Sequence, residues 1–412
     1  MSVEGWQEIS LGNILFSRND KSKQIKSSEY LKNGSYPIID QSSDFICGYC
    51  DDIKKVISNG LPYIVFGDHT RHTKFIDFPF VVGADGTQII KSTKEVDDLF
   101  FFYLVLYAAE RIGNYGYDRH FKHLKQFICD YPIDQSEQTQ IATILSTIDR
   151  AIEQTEALIA KQQRIKTGLM QDLLTKGIDE NGNIRSEETH EFKDSPLGRI
   201  PVEWEVKKIG EISTISYGIS DAIEQSRNSG ILTVTLPCVL SSGELIVKPE
   251  LLAYSDENKV KQSDLLKKGD LLFNWRNGSQ NHLGKTAYFN LEEKYTHVGF
   301  LLKIRTSPRL CDSRFLWYLL CDIKEKGFFQ TAKIQVNNTF NSNELRKVVL
   351  FFPRIDEQKI IVKFLDSIQF AISNQSEYLT KLKSIKFGLM QDLLTGKVRV
   401  IELIKERETD NL

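Results

Sequence analysis

The sequence predicts an α+β protein built twice over. Two α+β domains are separated and joined by two long helices packed as an antiparallel coiled coil, and the halves form a pseudo-two-fold internal repeat. Three observations predict this. The octapeptide GLMQDLLT occurs at 168–175 and again at 388–395. A long stretch with helical apolar spacing leads into each copy, and the remaining chain consists of short apolar runs broken by turn residues.

The repeat extends backwards from GLMQDLLT. Glu137-Gln138 pairs with Glu357-Gln358 at one offset, 220 (357 − 137, and 388 − 168). Between the anchors Ile141, Leu145, Ile148, Ala151 and Ile152 match Ile361, Leu365, Ile368, Ala371 and Ile372, and roughly 18 of 42 aligned positions are identical. The opening segments also correspond: Gly5-Trp6-Gln7-Glu8-Ile9 with Leu11-Gly12 resembles Glu203-Trp204-Glu205-Val206 with Ile209-Gly210. The expected order is an α+β domain over 1–132, a long spacer helix over 133–177, a linker over 178–200, a second α+β domain over 201–353 and a second long helix over 354–404.

Each long segment earns its helix reading from spacing. Ile361, Leu365, Ile368, Ile372, Gln375, Leu379, Leu382 and Leu389 alternate by four and three, a coiled-coil seam, and Ile141, Leu145, Ile148, Ile152 and Ile159 follow the same rhythm. Pro132 and Pro353 stand just upstream, and Gly177 and Gly396 just past the last Leu-Leu-Thr are natural stops. A helix of about 40 residues is about 60 Å long and cannot bury its own stripe, so the two copies are expected to pack on each other. The stretch 178–203 is polar, with Gly, Asn and two prolines, which is linker composition.

In the α+β domains, Pro62–Phe66, Phe80–Val82, Gln88–Ile90, Asp270–Phe273 and Val298–Leu302 read as strands, with helices near 97–111 and 312–326. Loops after corresponding strands are rich in side chains that hydrogen-bond base edges or neutralise phosphates. In the first domain these are His69, Thr70, Arg71, His72 and Lys74, then Asn114, Tyr117, Arg119, His120 and Lys122. In the second they are Trp275, Arg276, Asn277, Ser279, Gln280, His282 and Lys285, then Lys333, Gln335, Asn337 and Asn338. Any one of them alone is compatible with a solvated loop; their recurrence beside matched strands points to double-stranded DNA. With 53 Lys and Arg against 55 Asp and Glu, the positive charge such binding needs must be gathered on one face.

Signatures of catalysis are not found. No two prolines are adjacent, which excludes the (Asp/Asn)-Pro-Pro-(Tyr/Phe) signature of adenine methyltransferases, and GxGxxG is missing. Gly278 to Gly284-Lys285-Thr286 has five residues between its glycines where the phosphate loop has four. Cys47 and Cys50 stand about 70 residues from His120 and His123, unlike compact zinc spacing, so unligated thiols and loop histidines are expected and no metal. The most apolar run, Leu99 to Ala109, is too short for the roughly 20 residues of a membrane span. The opening MSVEGWQEIS lacks a secretory pattern, and six dispersed cysteines fit reduced thiols, so a cytoplasmic location is expected. Two rivals from other classes stand beside a DNA-reading adaptor. One is a self-sufficient DNA-modifying enzyme; the other is a coiled-coil interaction protein that never touches DNA.

The tandem architecture, the two Glu-Gln openings, the two GLMQDLLT closings and the segment from Phe192 to Trp204 together resemble the type I restriction-modification specificity subunits. The resemblance covers nearly the whole chain. It implies that the two α+β domains are target-recognition domains, each reading one half of an asymmetric split DNA site, and that the helices set the gap. It implies no catalysis and no cofactor in this chain. S-adenosylmethionine would belong to two methyltransferase subunits held by the helices, and ATP with Mg2+ to two restriction subunits that join them. Candidate partner-facing residues on the repeated segments are Gln138, Leu169, Met170, Leu173, Leu174, Gln358, Leu389, Met390, Leu393 and Leu394.

Overall fold

The computed structural model describes residues 3–18, 21–93, 95–113, 119–195, 198–220, 227, 229–276, 280–331 and 339–404. Two long helices stand out, Gln135–Thr175 and Ile355–Leu393, which are α3 and α8 in chain order. The chain divides into two compact units. Unit 1 comprises Met1–Leu158 with Gln375–Leu412, and unit 2 comprises Ile159–Asn374. Each unit therefore takes the N-terminal part of one long helix and the C-terminal part of the other.

Unit 1 opens with β1 (Trp6–Ser10), which pairs antiparallel with β10 (Ile128–Pro132) and so closes the domain at its neck. Between them, β2 (Leu15–Arg18), β9 (Thr87–Ser92), β6 (Tyr63–Gly67) and β7 (Thr73–Ile76) form an antiparallel sheet in that order. A second sheet runs β4 (Gly48–Cys50), β3 (Tyr36–Ile39), β8 (Phe80–Val82) and β5 (Val56–Ile57), with β3 and β8 parallel. The apolar run at 99–109 forms α1 (Asp98–Arg111), capped by Asp97, whose carboxylate accepts from Phe100 N at 2.8 Å. After the short α2 (His120–Gln126) the chain reaches β10 and α3.

Unit 2 repeats this plan. Its neck pairs β13 (Glu205–Lys208) with β21 (Val349–Phe352). One sheet runs β14 (Ser213–Tyr217), β20 (Leu301–Thr306), β17 (Leu271–Asn274) and β18 (Thr286–Tyr288). The other runs β16 (Ala253–Ser255), β15 (Ile231–Val234) and β19 (Tyr295–His297), again with one parallel pair, β15 and β19. Helix α5 (Ser313–Glu325) takes the place of α1, and α7 (Ser342–Lys347) that of α2. One turn of helix, α4 (Ile209–Ile212), follows β13, and α6 (Phe328–Thr331) follows α5.

The long helices pair antiparallel within each unit. In unit 1, Asp149 meets Lys386 at 2.6 Å and Glu156 meets Lys383 at 2.7 Å, so one number rises as the other falls. In unit 2, Lys166 donates to Gln369 at 2.7 Å, and Ile178 N, beyond the end of α3, donates to Glu357 near the start of α8 at 3.0 Å. Ile372 and Leu382 of the expected seam are buried, whereas Ile148, Ile152, Ile368 and Leu379 are half-buried. The deepest helix residues are at the ends. Ile141, Leu145, Met390, Leu393 and Leu394 share one core with α1, and Ile361, Leu365, Met170, Leu173 and Leu174 share another with α5.

Two expectations require correction. Residues 178–200 are not a loose linker. Ile178 bridges Ile184, and β11 (Phe192–Ser195) pairs with β12 (Gly198–Pro201) as a hairpin. Ile178 and Ile200 are buried in the unit 2 core and Arg185 is held by Glu357 and Glu203, so both apolar burial and an ion pair anchor this polar stretch. The strand expected at Val298–Leu302 begins only at Leu301. Val298 instead bridges Ile219, and Gly299 gives its carbonyl to Trp275 Nε1 at 2.7 Å.

Candidate nucleic-acid interface

In unit 1 the expected contact loops gather around Asp68, which follows β6 and is 1% exposed. Its backbone N–H donates to Gly86 O at 2.7 Å. Its carbonyl receives His120 N at 2.9 Å and lies 2.8 Å from His120 Nδ1. Its carboxylate accepts from Phe121 N at 2.8 Å and Gln88 Nε2 at 3.4 Å, with Arg119 Nε at 4.0 Å. A buried polar group must be satisfied. Asp68 is satisfied only when the β6–β7 turn, the turn before β9 and the start of α2 come together.

Gln41 staples the same turns. Its side-chain oxygen accepts from His69 N at 3.2 Å and its amide donates to Asp85 O at 2.8 Å. Its carbonyl accepts from Thr70 Oγ1 at 2.5 Å and lies 3.2 Å from His72 Nδ1. The turn closes at Arg71, which holds φ +62, a conformation that costs a side-chain-bearing residue about 1 kcal/mol or more. Its guanidinium donates to Ile112 O at 2.8 Å. A cleft of about 560 Å³ opens beside this assembly, lined among others by Arg18, Gln24, His69, Gln88 and Arg119.

The expected residues therefore divide by exposure. His69, Thr70, His72, Arg119 and Lys122 are exposed, and Arg71 is half-buried. Lys74 and His120 are buried, at 6% and 2% exposure. Lys74 Nζ donates to Asp40 O at 2.9 Å and to Asp44 O, and burial lowers its pKa. These two support the turn from below and do not belong to its outer rim, because strand alternation turns Lys74 inward beside Val65. Asn114 and Tyr117 lie outside the described residues.

In unit 2, Arg276 and His282 are exposed and Lys285 is half-buried, its ammonium pKa lowered first by desolvation and then by the charge of Lys324. Arg276 is held in place by a bridge to Thr339. Trp275 is a support: its indole donates to Gly299 O and its ring meets Tyr217 edge-on at 5.3 Å. Gln280 opens the short turn Gln280–His282. Asn277, Ser279, Lys333, Gln335, Asn337 and Asn338 lie outside the described residues.

The repeated helix residues are corrected most. Gln138 is fully buried; its oxygen accepts from Asp97 N at 2.7 Å and its amide donates to Pro132 O at 2.8 Å. Gln358 does the same with Asp312 N at 2.8 Å and Pro353 O at 2.8 Å. Met170, Leu173, Leu174, Met390, Leu393 and Leu394 are buried, and Leu169 and Leu389 are half-buried against the same cores. These ten residues attach the α+β domains to the helices, and the eight buried ones are covered by the domains and present no surface to a partner. The physical reason is that both the octapeptide and the Glu-Gln pair lie at helix ends, where a domain covers them. The thiol expected to be unligated, Cys47, donates to Asp40 Oδ1 at 2.8 Å, and among the described residues no His, Cys, Asp and Glu cluster could hold a metal. Nor, among them, is any helix long and apolar enough to cross a membrane.

A duplicated sheet-and-helix domain with a different polar rim on each copy is thus in place. The family described as "Type I restriction modification DNA specificity domain" matches residues 3–162 and 201–384. The chain belongs to that family. The specificity subunit of the type I restriction enzyme MjaVIII from Methanocaldococcus jannaschii is similar over 97% of this chain and 94% of its own length, at 25% identity. The putative MjaX specificity subunit from the same organism is 28% identical over 68% of this chain and 60% of its own. Two solved chains share the fold. The Type-I restriction-modification system S subunit from M. genitalium has a TM-score of 0.60 at 15% identity, covering 94% of this chain and 96% of that one. A chain from a structure on complex assembly and conformational transition of the type I R-M system has a TM-score of 0.55 at 17% identity, covering 97% and 100%.

As a type I specificity subunit, the chain carries its DNA specificity in these two domains. Sequence reasoning missed Asp68, Gln41, Gln88 and Arg18. Asp68 stands directly before the His-Thr-Arg-His run, and an acidic residue at a strand end next to basic ones was a usable signal. Gln41 and Gln88 had none, because their roles depend on contacts 28 and 20 residues away.

Proposed function

We propose that this chain reads an asymmetric, bipartite double-stranded DNA site, one half with each α+β domain, as a non-catalytic subunit. The observation that carries the reading is that unit 1 and unit 2 share one plan, with the same strand order in the four-stranded antiparallel sheet, while their rims differ. His69, His72, Arg119 and Lys122 in the first answer to Arg276, His282 and Lys285 in the second. One scaffold with two unlike rims fits two unlike half-sites. Phosphate contacts from the Lys and Arg supply affinity, and a few base contacts select the sequence.

The long helices act as the ruler between half-sites and as the platform for two methyltransferase subunits, with two restriction subunits joining in turn. Large apolar side chains exposed on the helices support recruitment: Leu158, Tyr378 and Phe387 in unit 1, and Ile165, Phe364 and Phe370 in unit 2. S-adenosylmethionine belongs to the methyltransferases and ATP with Mg2+ to the restriction subunits, and the complex works in the cytoplasm.

The test is binding of the full chain, alone and with its methyltransferases, to random DNA across a salt series, followed by mapping of methylated sites. Binding that falls steeply with salt, with methylation at one split motif, is expected. Methyl transfer or cleavage by the isolated chain would overturn the non-catalytic assignment, and salt-independent or absent binding would overturn DNA reading.

A further inference from the structure

We infer that Gln88 reads an A·T base pair in the half-site met by unit 1, with Asp68 as the positioning residue that orients its amide. This deepens the DNA-reading function proposed above and rests on it. The cleft of about 560 Å³ beside Asp68 contains several polar side chains, but most are engaged within the domain. Gln24 donates its amide to Gly83 O at 3.2 Å and to Ala84 O. Arg18 donates to Tyr63 OH at 3.1 Å and lies over the Tyr63 ring at 5.9 Å. Arg119 is 73% exposed and carries charge to the rim, a group suited to a phosphate.

Gln88 differs in kind. It is half-buried in β9, a central strand paired with Phe66 of β6, so its backbone is fixed by sheet and not by a loop. Among the described residues its one side-chain hydrogen bond runs from Nε2 to Asp68 Oδ2 at 3.4 Å. A carboxylate only accepts, so the amide nitrogen must be the atom that faces Asp68. One N–H is used there. The carbonyl oxygen and the second N–H remain, an acceptor beside a donor. That pair is what the major-groove edge of adenine requires, since N6 donates and N7 accepts.

Among the described residues, the second domain carries no such reader at the matching position. In matching register Phe66 faces Gln88 while Phe273 faces Leu302, and Leu302 is fully buried. The residue following the matching strand is Trp275, not a carboxylate. The effect of Gln88 must therefore be confined to one half-site.

The experiment maps methylation by the full chain assembled with its methyltransferases, for wild type, Gln88→Ala, Gln88→Leu and Asp68→Asn. Gln88→Ala is expected to relax one A·T position in one half-site, lowering its discrimination by about 5- to 150-fold, the 1–3 kcal/mol of a bidentate base contact. The other half-site and affinity for random DNA should stay within about twofold. Gln88→Leu, which copies the second domain, should do the same, and its melting temperature reports whether the fold is intact. Asp68→Asn offers an amide that can face Gln88 either way and should relax the same position, with no further loss when combined with Gln88→Ala. Relaxation at a G·C pair, equal loss at both half-sites, equal loss on random DNA, or an unchanged motif would each overturn the inference while leaving DNA reading in place. A wild-type complex without sequence preference would remove the proposed function, and this inference with it.

Discussion

Glu137 and Arg399 lie 262 residues apart in the chain and meet in a two-pronged ion pair, Nε to Oε1 at 2.7 Å and Nη2 to Oε2 at 2.8 Å. Arg399 also donates to Glu4 O at 2.6 Å, so one guanidinium ties the segment after α8, the start of α3 and the turn before β1. Unit 2 repeats the device: Arg185 donates to Glu357 at 2.5 and 3.2 Å and to Glu203 at 3.0 Å. The Glu of each Glu-Gln pair thus grips an Arg that follows the other helix, while the Gln accepts from the backbone N–H of the residue that caps α1 or α5.

Breaking this pair from one side should cost more than removing it. Glu137 is 1% exposed and Arg399 27%, so Arg399→Ala strands a buried carboxylate and is expected to lower stability by about 2–3 kcal/mol. Glu137→Gln with Arg399→Ala should cost less than the two single changes summed. Urea unfolding of the four proteins checks this, and additive losses would contradict it.

The glycines after the two octapeptides should differ in tolerance. Gly177 has φ +64, and a methyl there would stand 2.5 Å from Trp204 Cζ2 and collide with Glu357. Gly396 has φ +66, but a methyl would meet the Trp6 ring only at 3.2 Å. Both substitutions strain the backbone by about 1–2 kcal/mol, and Gly177→Ala adds overpacking of about 1–3 kcal/mol. Chemical denaturation should rank Gly177→Ala below Gly396→Ala.

Acid should weaken unit 2 through His297. Burial, aided by the charge of Lys303, pushes this imidazole from its ordinary 6.5 down to about 3, and both ring nitrogens lack partners among the described residues. Between those values the unfolded chain binds a proton that the folded chain does not, so this contribution is intact above about pH 6.5 and is lost as pH falls toward 3. The slope approaches about 1.4 kcal/mol per pH unit. His297→Leu should flatten the stability profile between pH 6 and 4, measured by unfolding midpoints.

Arg276→Ala should weaken recognition of one half-site only, by about 1–3 kcal/mol if it contacts a base. Site selection with the assembled complex reads this directly. Equal loss at both halves would make Arg276 a general phosphate contact.

One heptad added to each long helix should change the preferred spacer and leave both half-sites unaltered. Seven residues add about 10 Å, or about three base-pair steps of 3.4 Å. An unchanged spacer in methylation mapping would remove the ruler from the proposal.

The duplication, the α+β class, both long helices and α1 and α5 were legible in the sequence, because each rests on local periodicity or literal repetition. The contact loops were legible as composition only. Lys74 and Arg119 looked alike in the chain, yet strand alternation turns Lys74 inward, while Arg119, at the N-cap of α2, stays outside. The Glu-Gln pairs and GLMQDLLT looked like a partner surface for a similar reason: sequence identity marks a shared role without saying which side of a helix it faces.

By itself, then, the sequence determined that there are two copies of one architecture, since a repeat and a helical period are properties of neighbouring residues. Only the tertiary structure decided that the repeated residues attach each domain to the ends of both helices, and that Asp68 and Gln41 assemble the first rim. Those roles depend on which distant groups must share a buried hydrogen bond, and that requirement exists only once the chain has folded around it.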